Sequence, residues 1–135
     1  VTRAHDAAIL ARIRQVPALA GAVFDDEVTG KPQRYVLVHS NRGIARPDRL
    51  AGPSLRRRQT YWIHSVGISK ALADAVAEKV IAQLLDWIPV VPGFTSERIS
   101  HEASQPVQKD DSRQPVVYFG ADQFDFFSTP DQPVG

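Results

Sequence analysis

The residues best suited to chemistry are three histidines, two acidic runs and an arginine triplet. His39, His64 and His101 each fall in a stretch that reads as a strand. Imidazoles on neighbouring strands, with a carboxylate close by, could bind a metal or relay protons. The ordinary alternative is three half-buried sheet residues, each with an everyday hydrogen bond. Asp25-Asp26-Glu27 and Asp110-Asp111 have the composition of metal-ligating carboxylates for phosphoryl transfer, although such runs are more commonly solvated turns and edges. Arg56-Arg57-Arg58, followed by Tyr61 and Trp62, combines basic and aromatic groups as a nucleic-acid patch does. Its ordinary alternative is a charged strand entrance.

Several catalytic signatures are absent. No glycine-rich loop precedes a Lys-Ser/Thr pair, and there is no GxGxxG. Ser65-Val66-Gly67 lacks the leading glycine of a nucleophile elbow, because Ile63 stands there. His101-Glu102 opens like HExxH, but Gln105 replaces the second histidine and the segment reads as strand. There are no cysteines, which excludes disulfides, thiolate metal sites and a cysteine nucleophile. Neither a cofactor nor a metal is expected.

The elements that would position these groups follow from periodicity. Residues 2–16 read as a helix with Thr2 as N-cap and an apolar stripe of Ile9, Leu10, Ile13 and Val16, stopped by Pro17. Strands are predicted over 22–28, 34–40 and 57–67. The second contains Tyr35-Val36-Leu37-Val38, apolar on both faces as an interior strand requires. Between them, 41–56 loses periodicity and carries two glycines, two prolines and four arginines, which predicts a long loop that orders only against a partner. From Ser69 to Ile88 apolar residues recur at helical spacing until Pro89, predicting a long helix laid on the sheet. Further strands are predicted over 94–102 and 116–127, separated by a polar loop over 104–114. Blocks of strands instead of strict alternation with helices indicate an α+β fold. A mainly antiparallel, possibly mixed sheet of about five strands then carries the long helix and the N-terminal helix.

Composition bounds the partners. The 135 residues suit one domain, expected over 1–128, with a loose tail at 129–135. Sixteen basic against fifteen acidic residues give a net charge of +1, which argues against a protein whose main task is coating nucleic acid or an acidic membrane. That balance conceals an asymmetry, since arginines outnumber lysines 12 to 4 and cluster between Arg34 and Arg58. No apolar run approaches the ~20 residues of a membrane span, and the first residues do not read as a signal peptide, so the cytosol is the expected compartment.

One resemblance covers nearly the whole chain. Val36-Leu37-Val38-His39, Asp48-Arg49-Leu50-Ala51-Gly52, Tyr61, Ser65-Val66-Gly67 and the helix ending at Leu84-Leu85 carry its first half. Pro92-Gly93, His101-Glu102-Ala103-Ser104-Gln105-Pro106-Val107, Asp110-Asp111 and the strand with Tyr118 carry the second. In their order these segments resemble the tail terminator proteins of long-tailed phages and prophages, the lambda-type family that caps a finished tail tube. The resemblance implies a non-enzymatic virion protein of the tail and neck, assembled in the host cytoplasm. It would form a homo-oligomeric ring, a hexamer, between tail tube protein and a head-side connector or stopper. DNA would pass through the lumen without specific binding, which requires most arginines to face neighbours or the outside.

A ring needs two different matching patches on each subunit. Arg42, Arg46, Asp48 and Arg49 of the long loop, set against Asp110 and Asp111, are the expected interface residues. Two rivals stand beside this expectation. One is a head-completion or stopper protein of the same neck. The other, of a different class, is a small metal-dependent hydrolase or nuclease built on His39, His64, His101 and Asp110-Asp111.

Overall fold

The sequence builds a single twisted sheet with two helices against one face. The computed structural model describes residues 3–25, 27–28, 30, 32–45 (41–45 by backbone alone), 56–112 and 116–131. The elements are α1 (Arg3–Arg14), a 3-10 turn (Pro17–Leu19), β1 (Val23–Asp25), β2 (Arg34–Ala45), β3 (Arg57–Gly67), α2 (Lys70–Leu84), β4 (Phe94–Ser96), β5 (Ser100–Asp110) and β6 (Val117–Pro130). The strand order is β1-β2-β3-β6-β4, and β5 also pairs with β6. β1 runs parallel to β2 and every other pairing is antiparallel, so the sheet is mixed and the fold is α+β as expected. β4 and β5 lie end to end along the same edge of β6, against residues 128–130 and 117–125.

Alternation along the central strands sorts the side chains between two faces. Val36, Val38, Tyr61, Ile63, Phe124 and Phe126 pack beneath the helices, which contribute Ile9 and Ile13 from α1 and Val76, Val80 and Leu84 from α2. Ser69 caps α2 by accepting a hydrogen bond from the Leu72 amide at 3.2 Å. Gly67 closes the turn before it. A Cβ at that position would lie 2.7 Å from both the Ala73 amide nitrogen and the Leu72 Cβ. The two helices are clamped together by a reciprocal pair of bonds: Arg12 Nε donates to the Gln83 carbonyl at 2.9 Å, and Gln83 Nε2 donates to the Arg12 carbonyl at 2.8 Å.

Four expectations are corrected. The strand starting at Arg34 does not stop at Ser40 but continues to Ala45, because Asn41, Ile44 and Ala45 still pair with Thr60, Arg58 and Arg57. A bulge between Asn41 and Ile44 absorbs the glycine at 43. Residues 46–55 of the expected loop lie outside the described residues. Residues 104–110 are strand instead of loop, since an edge strand needs only backbone bonds on one side and tolerates polar side chains on the other. The strand expected over 94–102 is two, divided by Ile99, whose amide donates to the Trp87 carbonyl at 2.9 Å. The long helix ends at Leu84, because Asp86 adopts a left-handed φ of 64° and its amide bonds the Ile99 carbonyl. Leu85 and Ile88, expected on the apolar stripe, are therefore exposed at 43% and 45%.

Candidate functional site

The sheet face away from the helices holds most of the groups with chemical potential. Paired residues share a face, so Tyr35, Leu37 and His39 of β2 sit beside Val66, His64 and Trp62 of β3. Phe119, Gln123, Asp125 and Phe127 of β6 continue the same face. No helix covers it among the described residues.

His39 and His64 meet there with ring centroids 4.9 Å apart and planes at 68°. Burial lowers the pKa of His64 and the neighbouring His39 lowers it further, so His64 is neutral at pH 7. Beside it lies an open cleft of about 190 Å³ walled by Tyr35, Leu37, Val66, Val117 and Phe119. Its polar lining is His64 and Asp110. Asp110 ends β5, and its Oδ1 accepts from the Ser112 amide at 3.2 Å and the Ser112 hydroxyl at 2.5 Å.

His101 does not join the other two histidines. Its Nε2 lies 2.8 Å from Asp122 Oδ1, and its ring stacks on Phe124 at 5.0 Å. Asp122 pairs with Ile63, placing it on the helix side of the sheet. The convergence required for a three-histidine hydrolase therefore does not occur, and among the described residues no three His, Asp or Glu gather to hold a metal ion. Asp25 ends the short β1 and is exposed, as is Glu27, while Asp26 lies outside the described residues.

The arginine triplet divides. Arg56 forks onto Glu97 at 2.7 and 3.0 Å and lies 3.6 Å over the Phe127 ring, holding the Glu97 carboxyl below its usual pKa. Arg58 Nε lies 3.3 Å from the buried Asp125, which also accepts from Gln123 Nε2 at 3.0 Å. Arg57 is exposed. Two of the three are thus structural, which favours the plain strand-entrance reading of the triplet.

Of the expected interface residues, Asp110 and Asp111 lie at the end of β5, with Asp111 exposed. Arg42 falls in the β2 bulge, described by its backbone, and Arg46, Asp48 and Arg49 lie outside the described residues. The registers put the backbone of Arg42 and Asp110 at opposite ends of the sheet. Ala45 pairs with Arg57, whereas Asp110 pairs with Val117, the residue before Tyr118, which faces Gly67.

Sequence reasoning missed the buried polar pairs. Asp122 and Asp125 interrupt an otherwise aromatic strand, and that interruption was the available signal. Asp6, in the first turn of α1, accepts at Oδ1 from the Tyr61 hydroxyl at 2.9 Å. His5 is buried against Phe94 at 4.6 Å with its Nε2 2.9 Å from Ser128 Oγ.

Fold and faces together define an α+β module with one helix-covered sheet face and one face that no helix covers among the described residues. Solved chains share this fold over almost their entire lengths. One, from the virion of a native gene transfer agent particle, is 15% identical with a TM-score of 0.65, covering 90% of this chain and 92% of its own. A second is 17% identical with a TM-score of 0.66, covering 97% of this chain and 96% of its own. At such identities the likeness is one of fold. No family model and no curated protein matches the sequence.

Proposed function

We propose that this chain is a structural virion protein of a phage-type particle, and within it a tail terminator: a ring subunit that caps the tail tube and receives the head side. The carrying observation is the end-to-end fold likeness to a chain of a gene transfer agent virion, reached independently of the motifs that resemble tail terminators. The contrast between the two sheet faces suits assembly. A ring subunit must present two different surfaces that match each other on successive copies. Arg42, Arg46, Asp48 and Arg49 would belong to one surface and Asp110 with Asp111 to the other.

The β5 edge is a poor candidate for that contact. β5 breaks register with β6 twice, between His101 and Ala103 and between Gln105 and Gln108, and contains Pro106 and Lys109. Bulges, proline and lysine are the usual devices that stop edge-to-edge pairing. Side-chain patches, and not the β5 edge, therefore carry the proposed ring.

Electron microscopy of particles made without this protein tests the reading. Free heads beside overlong tails are expected of a missing terminator. Tails of normal length with heads that leak DNA would move the protein to the stopper position, and normally joined particles would refute both.

A further inference from the structure

The arginine triplet leaves one cation unexplained. Arg56 is held by Glu97 and Arg58 by Asp125, and both interactions are internal to the subunit. Arg57 is exposed, and among the described residues it makes no ion pair. It stands at the Ala45 end of the sheet, opposite Ser128.

At the other end lies its chemical complement. The cleft between β2, β3 and β6 has apolar and aromatic walls, and Asp110 is the one charged side chain among its described lining residues. Such a site fits the two halves of an arginine: the methylene stem lies along apolar surface while the guanidinium meets a carboxylate and stacks on an aromatic face. Ten residue steps of β3 lead from Arg57 to Gly67 at the cleft's end of the sheet, a span of roughly 30 Å at strand rise, so Arg57 and Asp110 cannot meet within one subunit.

We propose that the Asp110 cleft is a socket for Arg57 of a second copy of this chain. The contact is head-to-tail, joining opposite ends of successive subunits, and such contacts generate rings when the rotation closes. The inference rests on the ring-forming reading and adds the residues that would register it. It also gives the exposed member of the triplet a role, with a protein partner instead of nucleic acid.

Because the chain has no cysteines, D110C and R57C introduce the only thiols. Mild oxidation of the full chain carrying both substitutions should give a ladder of oligomers on a non-reducing gel, joined by 57–110 disulfides in peptide mapping; a ladder held by 57–57 and 110–110 bonds alone would overturn the socket. Each single variant should stop at dimer. A double variant that runs no higher than the singles would overturn the socket. Light scattering of the unsubstituted chain over the same concentrations separates this failure from that of the ring. Assembly without a ladder removes the socket alone, and a monomer at every concentration without a ladder removes both.

Discussion

His101 closes over Asp122 at 2.8 Å, setting a quarter-exposed imidazole against a carboxylate whose side chain is only 6% exposed. The carboxylate lies on the helix side of β6, between β3 and β5, beside the buried Ile63 and Phe124. Removing the imidazole leaves a desolvated acceptor behind and strips the ring stacked on Phe124. H101A should cost about 2–3 kcal/mol in chemical denaturation, and the double variant H101A/D122N should recover part of that loss. Equal stability of H101A and the parent would show that water replaces the ring at no cost.

Val80 is fully buried where α2 meets the sheet. V80D drives an unpaired charge into that layer and should destabilise the fold by about 4 kcal/mol or more. An unchanged thermal melt would refute the packing of α2.

Gly67 has no room for a side chain. The atoms 2.7 Å from its would-be Cβ include a backbone nitrogen of α2, so relief requires moving the helix. G67A should lower stability by about 1–3 kcal/mol, the range for overpacking, whereas G21A, with open space around it, should be near neutral. Comparing the two melts isolates the steric cause.

Acid should weaken the fold through two histidines. Burial, the leading cause in each, holds His5 and His64 below the ordinary 6.5; Asp6 opposes it at His5 and His39 reinforces it at His64. The unfolded chain therefore takes up protons first as pH falls. The stabilisation is complete above 6.5 and is lost as pH drops through the lowered folded values. Denaturation midpoints measured from pH 7.5 to 5 should fall, and less steeply for H64Q. An identical slope in H64Q would clear His64 of any part.

Alkali should act through Tyr61. Burial and then the Asp6 carboxylate push its phenol far above the ordinary 10.0. The unfolded chain loses that proton first, so stability declines as pH rises beyond 10. Ultraviolet titration should show one tyrosine ionising only with unfolding, and Y61F should lack that step. The variant should also lose about 1 kcal/mol at neutral pH with its hydrogen bond to Asp6.

The strong periodicities were legible. α2, β3 and β6 announce themselves because burial on one or both faces imposes a repeating apolar pattern. β5 does not, because its side chains are mostly exposed and its strand character comes from bonds to β6, which leave no mark on its own composition. The end of α2 was hidden similarly: Asp86 turns because a distant carbonyl, that of Ile99, receives its amide. At the candidate site, the chemical types of His39, His64 and Asp110 were readable, but register decides neighbours. It brings His39 and His64 together and sends His101 to the opposite face of the sheet.

The last strand in sequence, β6, occupies the middle of the sheet, with β3 on one flank and β4 and β5 on the other. During synthesis the first five strands emerge without the one that unites them, and Arg57 waits for Ser128, 71 positions downstream. Such distant pairings fold slowly, because a long loop must close before its contacts repay the lost entropy. A nascent chain that has not yet released residues 117–130 from the ribosome cannot complete the sheet. Copies with a complete sheet should therefore appear only after translation has passed that segment.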